Sequence, residues 1–165
     1  MEAKSHIDHS ALPVMNFISP DHCERRGRKQ SFGKLVSETM TRRLRVTVVD
    51  DKADAAVMLA MLLETEGHQV QVEHDPWVAL ERSLGNAPDV FLLDIGLPGM
   101  DGNELAQRLR AQPETAKLTL IAVTGYGQEN DRDRTRQAGF DHHLVKPIDA
   151  GKLFSILAAV PARLK

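Results

Sequence analysis

Between Arg45 and Val160 the chain alternates short strand-like runs with helical segments five times over, and few architectures accept that order. The runs are Arg45–Val49, Gln69–Glu73, Asp89–Leu93, Leu118–Val123 and His142–Val145. Val46-Thr47-Val48-Val49 and Val90-Phe91-Leu92-Leu93 are almost wholly apolar or β-branched, the pattern of strands covered on both faces. Gln69–Glu73 alternates polar and apolar, which suits a place nearer an edge. The intervening segments carry helix signals. Ala53–Glu66 offers Val57, Ala60, Met61 and Leu63 as an inward face, with Gly67 as its stop. Asp75 caps a helix begun by Pro76 and running to about Gly85. Asn103–Ala111 is amphipathic and stops near Pro113. Asn130–Ala138 is highly charged and ends at Gly139; Lys152–Val160 precedes Pro161. The alternation predicts a doubly wound, five-stranded parallel sheet with five helices, an α/β fold. Right-handed crossovers then place every strand's carboxyl end on one edge.

That edge gathers chemistry. The first strand ends in Asp50-Asp51 and the third in Asp94. Asp94 is followed by the Gly/Pro-rich loop Ile95-Gly96-Leu97-Pro98-Gly99-Met100-Asp101-Gly102. The fourth strand offers Thr124 and then Gly125, and the fifth Lys146 and then Pro147. Open α/β sheets bind their ligands at this edge. Three converging carboxylates repel one another unless a cation joins them, and an all-oxygen cluster suits Mg²⁺.

Composition narrows the setting. Net charge is −2, which gives no global argument for nucleic acid. The charge is uneven: residues 1–45 hold nine Lys/Arg against five Asp/Glu, and residues 46–165 hold twelve against eighteen. The chain reads as a basic, disordered arm over 1–43, a domain over 44–162 and a tail over 163–165. A short helix around Lys34–Thr41 is compatible with the arm, and Met40 is an alternative start. The lone Cys23 excludes an internal disulfide framework and fits a reducing compartment. No apolar run approaches a membrane span or a signal peptide, so a cytoplasmic protein is expected. Zinc-ligand spacing and a Walker loop are absent, and Gly125-Tyr126-Gly127 is too short for a dinucleotide fingerprint.

In order, the residues Val48-Val49-Asp50-Asp51, Leu92-Leu93-Asp94, Leu97-Pro98-Gly99-Met100-Asp101-Gly102, Val123-Thr124-Gly125 and Leu144-Val145-Lys146-Pro147 resemble the receiver domain of two-component response regulators. The likeness covers about residues 44–160, and the stretch Gly139–Pro147 is most like receivers attached to hybrid histidine kinases. It implies the flavodoxin-like receiver fold and a phosphorelay function. Asp94 would be the phosphoacceptor, with Lys146 and Thr124 contacting phosphate oxygens. Asp50, Asp51, Asp94 and the backbone carbonyl of Gly96 would hold Mg²⁺. His143 occupies the position of the family's aromatic switch, and the Lys146–Pro147 bond would be cis. The implied partners are a histidine kinase or histidine phosphotransfer protein, and a downstream protein meeting the fourth helix, fifth strand and fifth helix. No fused DNA-binding or enzymatic output, and no membrane contact, is expected. The chain would catalyse only its own phosphorylation and dephosphorylation.

Plainer roles stand beside these. Asp54 is a first-turn acid favoured by the helix dipole, and Asp101 a turn or cap residue. His142 alternates to the face opposite His143, and Trp77 packs on a helix face. Tyr126 either shields the phosphate or packs on the surface. The charged fourth helix is either solvated or the face of a transient homodimer. Two rival functions are an interaction module that is never phosphorylated and a haloacid-dehalogenase-like phosphohydrolase. The second needs Asp-x-Asp after the first strand, which Asp50-Asp51-Lys52-Ala53 lacks.

Overall fold

The computed structural model describes residues 42–125 and 129–161. The proposed arm, the helix around Lys34–Thr41, Tyr126 and the tail lie outside them, apart from Arg42 and Arg43 at the arm's end. Five parallel strands form one sheet in the order β2-β1-β3-β4-β5. They are β1 (Arg45–Val49), β2 (Gln69–Glu73), β3 (Val90–Asp94), β4 (Thr119–Thr124) and β5 (His142–Val145). The helices are α1 (Ala53–Thr65), α2 (Pro76–Gly85), α3 (Gly102–Ala111), α4 (Glu129–Ala138) and α5 (Ala150–Ala158). Every expected element is present, with ends moved by at most two residues. The last helix starts at Ala150 rather than Lys152 because the Asp149 carboxylate accepts from Lys152 N at 3.0 Å and caps it. No described helix is long and apolar enough to cross a membrane.

Strand alternation divides the core. Val90 and Leu92 pack on one side of the sheet with Ala56, Leu63, Leu153 and Leu157 from α1 and α5. Phe91 and Leu93 pack on the other with Leu105, Ala106, Leu109 and Ala138 from α3 and α4. β3 is buried along its whole length, while edge strand β2 alternates exposed and half-buried positions, as its polar pattern predicts. Burying each large apolar side chain contributes about 1.5–3 kcal/mol, so β3 alone anchors both layers.

The inward face assigned to α1 needs correction. Ala56, Ala60 and Leu63 are buried, but Val57 is 49% exposed and Met61 62%. The buried stripe follows i, i+4, i+7 spacing, and Val57 and Met61 lie about 100° around the helix from it. Trp77 packs on the outer face of α2 against α3. It is 51% exposed, and its ring is covered by the Arg108 guanidinium at 4.6 Å to the centroid.

Arg110 closes the sheet edge opposite the acids. It donates to the carbonyls of Gly139 (2.9 Å), Ala116 (2.8 Å) and Leu118 (2.6 Å) and to Asp141 Oδ2 (2.7 Å). Gly139 ends α4 with φ 97°, and a Cβ there would meet Arg110 Cγ at 2.9 Å, so glycine is required twice over.

His68 ties the starts of β1 and β2. Its Nδ1 accepts from Leu44 N at 3.3 Å, and the ring is buried. Burial lowers its pKa, against the opposing charge of Glu66. Because the folded value lies below the ordinary one, the unfolded chain binds the proton more readily. Stability is therefore full above the usual histidine range and falls as pH drops through it. Urea midpoints should decline from pH 7.5 to pH 5 and decline less in His68→Gln; equal slopes in both proteins would remove His68 from the account.

Candidate functional site

Each acidic side chain reaches the edge because a buried strand ends there. Asp50 is 5% exposed and its backbone N donates to Glu73 O at 3.2 Å, the last rung between β1 and β2. Asp50 Oδ1 accepts from Lys52 N at 2.9 Å, which turns the chain towards α1. Asp94 is 7% exposed, and the next residue, Ile95, donates from N to Val123 O at 3.1 Å. The loop after Asp94 then closes through Gly102 N to Ile95 O at 3.1 Å. Asp101 caps α3 by accepting from Glu104 N at 2.8 Å, the plain role expected of it.

Lys146 crosses from β5 to the acids. Its Nζ donates to Asp50 Oδ2 at 2.8 Å and to Asp94 Oδ2 at 2.7 Å. Its backbone N donates to Thr124 O at 2.7 Å, and the Lys146–Pro147 bond is cis. Burial acts to lower the Lys146 pKa, but hydrogen bonds to Asp50 and Asp94 and their charges outweigh it, so the pKa is raised. The ammonium bridges the two buried carboxyl groups.

Asp51 is exposed and completes the acidic group. Oxygen atoms of Asp50, Asp51 and Asp94 all lie within 4.8 Å of one another, the only such group among the described residues. Three carboxylates and one ammonium leave a net charge of about −2 there, which a hard divalent cation with oxygen ligands fits. Gly96 lies beside the group. Its N–H donates to Asp94 Oδ1 at 3.1 Å, and a Cβ on it would sit 3.8 Å from that oxygen.

Asp94, Thr124 and Lys146 open into one cavity of about 290 Å³, shared with Asn103, Thr135 and Arg134. Thr124 is 5% exposed, and its hydroxyl lies 3.3 Å from His143 Nε2. His143 is half-buried and His142 exposed, as their alternation predicts. Asp94, Asp50, Asp51, Gly96, Lys146 and Thr124 are thus brought together, and His143 touches the group through Thr124.

Three residues of the surround were not anticipated. Asn103 follows Gly102 at the start of α3, and its buried Oδ1 has no hydrogen-bond partner among the described residues. Arg134 lines the cavity from α4. Thr135, also on α4, lies 3.2 Å from His143 Nδ1 through its hydroxyl. None sits at a strand end, so nothing in the linear pattern marked them.

The sequence profile of the response regulator receiver domain matches residues 46–158. The chain is 36% identical over 121 residues to the phosphate regulon transcriptional regulatory protein PhoB of Rhizobium meliloti, covering 73% of this chain and 53% of that protein. It is 32% identical to protein PilH of Pseudomonas aeruginosa over 72% of this chain and 98% of PilH. The chain thus spans about half of the first relative and nearly all of the second. Among solved structures, the receiver domain of the Pseudomonas aeruginosa sensor histidine kinase PA1611 superposes with a TM-score of 0.67 at 26% identity. That match covers 72% of this chain and 98% of the other, which holds a magnesium ion in its active-site cleft.

Proposed function

The chain belongs to the response regulator receiver domain family, and from that premise we propose that it accepts a phosphoryl group from a phosphohistidine onto Asp94. The observation that carries this reading is the Lys146 ammonium held between Asp50 and Asp94 at 2.8 and 2.7 Å in an open cavity. The donor is a histidine kinase or histidine phosphotransfer protein. An Asp94 carboxylate oxygen attacks phosphorus in line with the histidine nitrogen; the P–O bond forms as the P–N bond breaks. The imidazole leaves with the electron pair of that bond and takes its proton from solvent. Phosphoryl transfer has a loose transition state, so the protein's work is placement and charge neutralisation.

Each residue then has a task. Asp94 is pre-aimed by the Gly96 N–H on one oxygen and Lys146 on the other. Lys146 follows the charge outward, exchanging Asp94 for a phosphoryl oxygen. Thr124 turns its hydroxyl to a second phosphoryl oxygen. Asp50, Asp51, Asp94 and the Gly96 carbonyl hold Mg²⁺. When bound there, Mg²⁺ supplies the positive charge that lets the carboxylate and the phosphoryl oxygens approach. The phosphorylated state signals by contact with another protein through α4, β5 and α5, of which α4 and β5 meet Thr124 through His143.

Intact-protein mass after incubation with acetyl phosphate and Mg²⁺ tests the reading, with wild type beside Asp94→Asn. One phosphoryl mass is expected on the wild type alone, and none in EDTA. An unmodified wild type, under conditions that label a control receiver and again with a kinase partner, would leave the phosphorylation-independent interaction module as the better account.

A further inference from the structure

Two side chains on the Asp94 cavity are incomplete in complementary ways. Asn103, at the start of α3, has a buried Oδ1 with no hydrogen-bond partner among the described residues. Turning the amide over would only exchange an unpaired acceptor for an unpaired donor. A buried polar atom left unpaired costs stability, so its retention points to a partner that arrives in another state. Arg134, on α4, is exposed, and its guanidinium makes no hydrogen bond or ion pair with the described residues. Both residues line the cavity of about 290 Å³ that opens over Asp94.

The arginines of α4 divide between two faces. Arg132 and Arg136, four residues apart, line the groove beside His142 and Lys152, and Arg136 pairs with Asp133 at 3.6 Å. Arg134 lies about 200° around the helix from each of them, so it leaves α4 on the other side. It is the α4 cation that lines the cavity. Leu105 and Leu109 of α3 pack with Ala138 of α4 in one cluster, which sets the two helices beside each other.

In the unmodified protein little draws Arg134 inward. One Asp94 oxygen is held by Lys146 and the other accepts from the Gly96 N–H. Asn103 alone offers one neutral acceptor, which does not offset the hydration a guanidinium would lose. An aspartyl phosphate changes this, because it brings three acceptor oxygens and one more negative charge. A guanidinium carries five N–H donors in a planar fork, so it can serve two acceptors at once. We propose that Arg134 is a further phosphoryl ligand, and that Asn103 is the positioning residue that receives it. The inference rests on Asp94 being the phosphoacceptor. On phosphorylation Arg134 turns into the cavity and donates to a phosphoryl oxygen and to Asn103 Oδ1. The orphaned acceptor is thereby satisfied in the modified state and not before it.

Calorimetric titration of the full chain with beryllium fluoride and Mg²⁺, the phosphoryl mimic, reads the first part. Arg134→Ala should bind the mimic about tenfold more weakly, the loss expected of one charge-assisted hydrogen bond. Arg134→Lys, which keeps the charge without the fork, should recover part of that loss. Arg132→Ala removes the same charge from the other face of α4 and should bind the mimic as the wild type does. In an Asn103→Leu background the loss on removing Arg134 should be smaller, and the difference measures their coupling. Urea unfolding of the unmodified proteins reads the second part. Asn103→Leu should raise the midpoint, because an unpaired buried acceptor is gone, and Arg134→Ala should leave it unchanged. Equal mimic affinity in wild type and Arg134→Ala would overturn the proposal. So would a loss that is the same with and without Asn103, or a midpoint lowered by either substitution. A wild type that takes up neither the mimic nor the phosphoryl mass would instead overturn the reading of Asp94 on which the inference rests, and the midpoints would still decide whether Asn103 is unpaired.

Discussion

Lys146→Met should abolish labelling by acetyl phosphate and lower stability by about 3 kcal/mol in EDTA. The substitution keeps an unbranched apolar stem, one atom shorter, and removes the charge. Asp50 and Asp94 then face each other with side chains only 7% and 8% exposed and no ammonium between them. Removing one partner of a buried ion pair costs about 3–5 kcal/mol, and the low end applies because Lys146 is itself 26% exposed. Mg²⁺ offers the variant a substitute cation. It should bind the variant more tightly than the wild type and restore much of the lost stability by mass action. Metal affinity and labelling should thus move in opposite directions, which general unfolding would not produce. The pH dependence follows from the raised Lys146 pKa. Its stabilisation is complete below the ordinary lysine value and disappears as pH rises through the raised one, so the two proteins should converge in strong alkali. Urea unfolding with and without Mg²⁺, beside intact mass, measures both parts. A variant as stable as wild type in EDTA would show that the ammonium contributes no net stability between the acids.

What was readable in the linear chain, and what was not, divides along physical lines. A strand buried on both faces must be apolar throughout, so β3 was visible as Val90-Phe91-Leu92-Leu93. A charge ending such a strand can only emerge at the sheet edge, so Asp50, Asp94, Thr124 and Lys146 could be placed together before any coordinates. Capping is equally local, and Asp75 and Asp101 both accept the helix N–H groups expected of them. The inward face of α1 was not readable, because Ala53–Thr65 is apolar almost all round. Ala56 is buried there while Met58 is 72% exposed, an outcome that hydrophobicity alone does not predict. Arg110 was not singled out in the sequence, since two of its four partners, Gly139 and Asp141, come from about thirty residues further on. The same holds for Thr135: only the packing of α4 beside β5 brings its hydroxyl to His143.

Gly102→Ala should cost about 3 kcal/mol and reduce labelling about a hundredfold, although the added group is one methyl. Space, not backbone freedom, makes glycine necessary here. A Cβ would run into the carbonyl oxygen of Asp94 and lie 2.9 Å from Ile95 Cα and 3.1 Å from the Asp94 carbonyl carbon. All three are main-chain atoms, so no side chain can rotate aside. The Asp94 end of β3 cannot yield easily either. It is paired with β4 at Asp94–Val123, and Ile95 N donates to Val123 O. The start of α3 must move instead, and Leu105, Ala106 and Leu109 leave their fit against Phe91 and Leu93. Overpacking of this kind costs about 1–3 kcal/mol, with the upper end expected where backbone opposes backbone. Any part taken up by the loop shifts Asp94, and about 1 Å of misplacement can lower a rate about a hundredfold. Gly85→Ala is the control. It lies at the end of α2 with nothing within 4 Å of its built Cβ, so alanine there should be neutral or stabilise by up to about 1 kcal/mol. Equal urea midpoints for the two variants would refute the steric argument. A destabilised Gly102→Ala that still labels at the wild-type rate would show that α3 alone absorbs the methyl and leaves Asp94 in place.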